Sequence, residues 1–158
     1  MIFLKVDITN QQLSVIKQHE IIKTYVVSTG KNGAGEVMNS GQTPRGWHIV
    51  RAKIGNNSPV NTVFVGRRPT GEIFSKELYL QYPDRDWILS RIFWLSGLEV
   101  GKNRLGNVDT MRRYIYIHGS PDHVLMGSPA SKGCIRMRNQ DVIELFNLIP
   151  VRTRVLLE

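Results

Sequence analysis

The chain has very little cysteine: its 158 residues contain one, Cys134. A single cysteine excludes an intrachain disulfide. The chain also lacks a hydrophobic run long enough to span a membrane. Its most apolar stretch, residues 87–100, contains Arg91 and Glu99, and we therefore expect no membrane span.

Acidic residues are scarce relative to basic ones. The chain has 21 Lys and Arg against 13 Asp and Glu, a formal net charge of +8. The basic residues are scattered, and the tightest groups are Arg67-Arg68 and Arg112-Arg113. Without a basic run or interleaved aromatics, nucleic acid is not the expected partner. A basic cleft also suits ligands that carry several carboxylates.

Metal and cofactor motifs are absent too. His118 and His123 lie five residues apart, but no cysteine or carboxylate follows at a ligand spacing, and we predict no metal site. The glycine-rich loops do not follow a phosphate-binding pattern. We therefore expect no cofactor.

The N-terminal residues Met1–Asp7 do not have the pattern of a signal peptide. Lys5 and Asp7 interrupt the apolar stretch, and no basic segment precedes it. This pattern predicts a first β-strand instead. The expected location is the cytoplasm, or the periplasm if a leader was removed.

Length and composition favour one globular domain, residues 1–158, with 41% hydrophobic and 22% charged residues. Gln140–Ile149 has helical spacing, with Asn139 as its predicted cap. Trp87–Leu95 fits either a short helix or a buried strand. Residues 67–86 and 97–113 look irregular, and are either a lid that sets specificity or mere connections.

The predicted strands are Ile2–Ile8, Leu13–Gln18, Ile21–Ser28, Trp47–Ile54, Thr62–Gly66, Tyr114–Ile117 and Thr153–Leu157. The expected fold is a mostly-β sandwich or barrel with one or two helices.

The most informative segment is Ser131–Met137, which contains the lone cysteine, preceded by His118-Gly119-Ser120. A thiol, an imidazole and a nearby guanidinium are the parts of a cysteine acyl-transfer site. Gly133, directly before the cysteine, allows backbone N–H groups to turn toward a substrate carbonyl. The alternative interpretation is that Cys134 is a small buried hydrophobic residue.

These segments resemble the signature of the L,D-transpeptidase catalytic domain, whose members act on peptidoglycan stem peptides. That signature is a His-Gly pair, a spacer, and then Ser/Thr-His-Gly-Cys-hydrophobic-Arg. Weaker similarities lie in Val27–Gly30 with Thr43–Trp47, and in Arg152–Leu157. The resemblance covers residues 2–157 and is weakest over residues 66–112. It implies the same mostly-β fold.

The resemblance implies that Cys134 is the nucleophile and that His118 is its general base and acid. The backbone N–H groups of Gly133 and Cys134 are the expected oxyanion donors. Gly119 is expected to matter because a side chain there would block the cleft. Ser131 is expected either to steady the loop or to touch the substrate.

Three further residues are candidates for substrate binding. Arg136 can hold a substrate carboxylate through two hydrogen bonds, or else brace the loop. Lys132 replaces the family's usual histidine; it either lowers the thiol pKa or binds a carboxylate, or it points to solvent. Tyr116 either faces the site or packs in the core.

Three functions follow. The expected one is a cytoplasmic L,D-carboxypeptidase that removes the terminal D-alanine from stem tetrapeptides during wall recycling. The second is an L,D-transpeptidase that forms crosslinks or exchanges D-amino acids. The third is a non-catalytic basic module that binds muropeptide or nucleic acid. The expected partner is a muropeptide or a peptidoglycan stem peptide.

Overall fold

The computed structural model describes residues 1–158 and contains ten strands, two α-helices and one 3-10 turn. The helices are α1 (Lys76–Gln81) and α2 (Asn139–Leu148), and the 3-10 turn spans Gly106–Val108. The strands are β1 (Ile2–Asp7), β2 (Gln12–Lys17), β3 (Glu20–Val26), β4 (Gly46–Ile54), β5 (Thr62–Val65), β6 (Arg68–Ile73), β7 (Ile88–Gly97), β8 (Tyr116–Ser120), β9 (Ile135–Arg138) and β10 (Arg154–Leu157). Neither helix is long and apolar enough to cross a membrane.

The strands form one curled sheet with a branch at β7. Along the main path the order is β3-β2-β1-β10-β4-β7-β5-β6, and β8 also pairs with β7. Strand β9 pairs in parallel with β8, and a bridge between Ser28 and Arg136 places β9 beside the segment that follows β3. This bridge closes the curl, and the expectation of a mostly-β, barrel-like fold is confirmed.

The main core lies between the curled sheet and α2. Alternate residues of β1 and β10 point inward, and Leu4, Val6, Val155 and Leu157 are fully buried. The apolar side of α2 joins the same core, as its 3.6-residue spacing predicts. Helix α2 packs against β7, β8 and β9 and so supports the strands that carry the site.

Several element predictions need correction. Trp87–Leu95 lies largely in β7, a strand, which settles the open alternative. Residues 67–86 are not irregular, because β6 and α1 lie there. Strand β9, which overlaps the end of the Ser131–Met137 motif, was not predicted.

Asn139 is not the cap of α2. It is the first residue of the helix, and its cap position is taken by Arg138 without a side-chain hydrogen bond. The Asn139 amide instead donates to the Ser120 carbonyl over 2.8 Å and accepts from the Ser90 hydroxyl over 2.7 Å. It therefore ties α2 to β7 and β8 rather than capping its own backbone.

Candidate active site

Parallel pairing of β8 with β9 brings the two motif segments together. His118 lies opposite Arg136, and Ile117 lies opposite Ile135. Because side chains alternate along a strand, the two isoleucines point into the main core. His118 and Arg136 then point to the other face, which they share with Cys134, two residues before Arg136.

Cys134 is held by backbone groups at and just before the start of β8. Its Sγ accepts a hydrogen bond from the Tyr116 amide over 3.3 Å and lies 3.5 Å from the Tyr114 carbonyl oxygen. Burial raises the pKa of the thiol to about 12. Lys132, its sequence neighbour, is exposed and is not among the groups that shift this pKa. The free protein therefore holds a protonated thiol, and the expectation that Lys132 lowers its pKa is not supported.

His118 is buried inside β8, and its Nδ1 lies 2.7 Å from the carbonyl oxygen of Gly119. A carbonyl can only accept, so Nδ1 carries the proton and Nε2 is left as the base. Burial lowers the pKa of the imidazole, which keeps the ring neutral near pH 7. The group that orients His118 is therefore a backbone carbonyl and not a carboxylate.

The loop before the cysteine is braced by Ser131. Its hydroxyl donates to the Cys134 carbonyl over 2.6 Å and accepts from the Gly133 amide over 3.1 Å. The Gly133 N–H is therefore occupied, which corrects its expected role as an oxyanion donor. The Cys134 amide has no protein acceptor, and it is the available donor at the point of attack.

The backbone conformation at position 133 requires glycine. Its φ is +124°, and a Cβ would lie 3.1 Å from the Gln42 carbonyl oxygen and 3.2 Å from Cδ1 of Ile115. Few other residues adopt this conformation. Gly133 thus shapes the approach to Cys134 even though its amide is not free.

The weaker upstream similarity forms the scaffold of this loop. Thr43 donates its hydroxyl hydrogen to the Gly133 carbonyl over 2.9 Å and accepts from the Gly30 amide over 2.8 Å. The Thr29 carbonyl accepts from the Ser131 amide over 2.9 Å. Thr43 is fully buried and is a positioning residue that the sequence analysis did not single out.

Gly119 has a different role from the expected one. A Cβ there would collide with the Leu89 carbonyl and with the Asn139 side chain. The absence of a side chain allows β8 to pack against β7 and α2, rather than keeping the cleft open. Its carbonyl also holds His118.

Arg136 is not a free guanidinium. Its Nη2 lies 3.4 Å from Oδ1 of Asp86, and its Nη1 lies 3.4 Å from the Ala130 carbonyl oxygen. Asp86 falls in the segment that was predicted to be irregular, and no sequence signal pointed to it. The loop-bracing interpretation of Arg136 accounts for both contacts.

A cavity of about 500 Å³ opens beside Cys134. Tyr116 and Lys132 line it, so both predicted residues reach the site. Its charged lining consists of three cations, Arg67, Arg113 and Lys132, and one carboxylate, Asp86. The cavity thus carries an excess of positive charge beside the thiol.

The family model for the L,D-transpeptidase catalytic domain, YkuD, matches residues 2–157. The chain belongs to the L,D-transpeptidase family. A relative is YkuD of Bacillus licheniformis, provisionally named an L,D-transpeptidase, which is 27% identical over 153 residues. The match covers 96% of this chain and 62% of the relative, so the chain spans about three fifths of its length.

Solved structures of L,D-transpeptidases share the fold. L,D-transpeptidase 3 from Mycobacterium tuberculosis superposes with a TM-score of 0.60 at 14% identity, covering 99% of this chain and 60% of that one. LdtMt1 in complex with imipenem gives a TM-score of 0.59 at 17% identity, covering 99% and 58%. At these identities the likeness concerns the fold.

Proposed function

We propose that the protein is a cysteine acyl-transferase that cleaves peptidoglycan stem tetrapeptides between diaminopimelate and the terminal D-alanine, with water as acceptor. One observation carries the chemistry: Cys134 shares a face with His118, whose tautomer leaves Nε2 as a base. Family membership supports the substrate class. The proposed activity is that of an L,D-carboxypeptidase.

The first half-reaction forms a thioester. Nε2 of His118 accepts the thiol proton as Sγ of Cys134 attacks the carbonyl carbon of diaminopimelate. The tetrahedral oxyanion accepts a hydrogen bond from the Cys134 amide. The imidazolium then protonates the departing nitrogen, and D-alanine leaves as the C–N bond breaks.

The second half-reaction releases the product. Nε2 of His118 takes a proton from water, which attacks the thioester carbonyl. The C–S bond breaks, and the imidazolium returns its proton to the thiolate. Both residues are then restored to the neutral state that burial favours in the free protein.

The size of the cavity supports a small acceptor. At about 500 Å³ it falls in the range of a pocket for one small ligand. One stem terminus suits this volume better than a donor stem and an acceptor stem together. Water or a free D-amino acid then resolves the thioester.

The second candidate is L,D-transpeptidation, with a D-amino acid or a second stem as the amine acceptor. The family match favours it, and the acyl-enzyme would be the same. The two candidates differ only in the nucleophile that attacks the thioester.

Mass spectrometry separates these functions. Purified protein is incubated with a tetrapeptide muropeptide, with and without excess D-methionine, and Cys134→Ala serves as the control. Loss of one D-alanine in both samples supports the carboxypeptidase, whereas a product that carries D-methionine supports exchange. Binding without any product in the wild type would support the non-catalytic module instead. Imipenem, bound in a solved neighbour, is expected to acylate Cys134 and would report the nucleophile independently of the acceptor.

The location is also a proposal, namely the cytoplasm and wall recycling. Residues 2–7 form β1, which lies between β2 and β10 and buries Leu4 and Val6. These contacts make residues 2–7 part of the folded domain. Fractionation of cells that produce the tagged protein, with a cytoplasmic and a periplasmic marker, tests this proposal.

A further inference from the structure

We propose that Arg67 binds a free carboxylate of the donor stem peptide at the rim of the catalytic cavity and so selects stems in which this group is not amidated. The proposal rests on the proposed function and names a specificity residue for it. Arg67 was noted in the sequence only as part of a basic pair. The fold brings it to Cys134 from 67 positions away.

Arg67 occupies the tip of the β5–β6 hairpin. Val65 pairs with Arg68, which leaves Gly66 and Arg67 as a two-residue turn. Both turn residues have positive φ, 56° and 64°, the conformation that such hairpins require. This conformation costs an arginine about 1 kcal/mol relative to glycine. The turn conformation by itself therefore does not favour arginine at this position.

Aromatic side chains hold the guanidinium in place. Its carbon lies 4.4 Å from the ring centroid of Trp94 and 5.0 Å from that of Tyr114. Its Nη1 donates to the Tyr116 hydroxyl over 2.9 Å. A planar cation fixed on aromatic faces loses little entropy when it binds a carboxylate.

Arg67 has no carboxylate partner in the protein, whereas two other arginines near Cys134 are engaged. Its only side-chain hydrogen bond is to Tyr116, which leaves Nε and Nη2 available. By contrast, Arg136 lies against Asp86, and Arg113 donates to the backbone carbonyls of Gly35 and Gln42. The guanidinium at the rim is thus fixed, half-buried and unneutralised.

An anionic group of the substrate completes this arrangement. A guanidinium with two open donors binds a carboxylate through a pair of parallel hydrogen bonds. Peptidoglycan stems carry several carboxylates, and a carboxamide in the same position offers one acceptor oxygen instead of two and carries no negative charge. Arg67 is therefore expected to discriminate acid from amide at one position of the stem.

The test compares wild type, Arg67→Gln and Arg67→Lys on the tetrapeptide and on analogues in which each carboxylate in turn is a carboxamide. We expect one amide analogue to raise KM about tenfold to hundredfold in the wild type, with kcat nearly unchanged. Arg67→Gln should raise KM for the free acid by a similar factor. It should no longer distinguish the free acid from that one amide analogue. Arg67→Lys should keep part of the difference in KM between the acid and the amide. The affected analogue identifies the carboxylate.

Arg68→Gln is the matched control, because Arg68 is exposed on the same hairpin and does not line the cavity. If Arg67→Gln behaves like Arg68→Gln, or loses activity equally on all peptides, the proposal is overturned. Thermal melting of each variant shows whether the fold keeps its stability.

Titration calorimetry separates this proposal from the proposed function. The same peptides are titrated into Cys134→Ala and into Cys134→Ala with Arg67→Gln. The wild type could turn over no stem peptide while the free acid still binds Cys134→Ala more tightly than the double variant. That result would overturn the proposed function and support the Arg67 site. If the wild type is active and the two variants bind the free acid equally well, the Arg67 proposal is overturned and the proposed function is retained.

Discussion

Nδ1 of His118 lies 2.7 Å from the carbonyl oxygen of Gly119, the next residue in the chain. This contact fixes the imidazole tautomer without a third catalytic side chain. Burial acts on both partners of the site, lowering the pKa of His118 and raising that of Cys134 to about 12. Both shifts favour a neutral thiol beside a neutral imidazole, and the alternative of a resting thiolate–imidazolium pair is disfavoured.

The first prediction concerns pH. Since the thiol pKa is about 12, alkylation of Cys134 by iodoacetamide should accelerate about tenfold per pH unit from about pH 6 to about pH 9. Since His118 must be neutral to act as base and its pKa is lowered, kcat/KM should decline only below pH 6.5. A plateau of fast alkylation near neutral pH would instead indicate a resting ion pair.

The second prediction concerns Thr43. Thr43→Val removes the hydroxyl that bonds Gly133 and Gly30 and leaves both backbone groups buried and unpaired. The free energy of unfolding should fall by about 2 kcal/mol. Imipenem should acylate Cys134 about tenfold more slowly, because the loop is misplaced. Thr43→Ser keeps the hydroxyl and should retain most of the stability and most of the acylation rate. Urea denaturation measures the first and mass spectrometry the second. Equal loss in Thr43→Ser, which keeps the hydroxyl, would show that these two hydrogen bonds do not cause the effect.

The third prediction concerns Asp86. Its charge raises the pKa of both Cys134 and His118, and it pairs with Arg136. Asp86→Asn should therefore speed alkylation of Cys134 at a given pH, by up to about fivefold for a partly exposed charge. It should also move the acid decline of kcat/KM to lower pH. Asp84→Asn, an exposed neighbour, should change neither quantity. Slower alkylation of Asp86→Asn would contradict this account.

The fourth prediction concerns His48, which is fully buried. Burial lowers its pKa to about 4, so between pH 6.5 and pH 4 the unfolded chain binds a proton that the folded chain does not. Stability should therefore fall as the pH drops through this window, by about 3 kcal/mol from His48 at its lower end. His118 contributes with the same sign.

Urea denaturation at several pH values tests this linkage. His48→Gln loses contacts with Thr110 and Gly46 and should be less stable near pH 7, but its stability should fall less steeply on acidification. His19→Gln removes an exposed histidine and should leave the slope unchanged. An unchanged slope in His48→Gln would show that this residue does not carry the effect.

Local patterns predicted much of the fold. The alternation in Ile2–Ile8 and Leu13–Gln18 gave the first hairpin, observed as β1 and β2, because period-two burial is a property of adjacent residues. The error at residues 67–86 has a physical reason. Strand β6 pairs only with β5 and is mostly exposed, so it lacks the alternation by which strands are recognised.

The sequence by itself determined the family, the mostly-β class and the pair Cys134 and His118, because each of these can be inferred from residue types and short spacings along the chain. Only the tertiary structure decided the chemistry around them. Burial, rather than the neighbouring Lys132, governs the thiol pKa. Asp86 neutralises Arg136, and Arg67 reaches the cavity from a distant hairpin. Desolvation and charge pairing depend on which residues are brought together in space, and these contacts join segments dozens of positions apart.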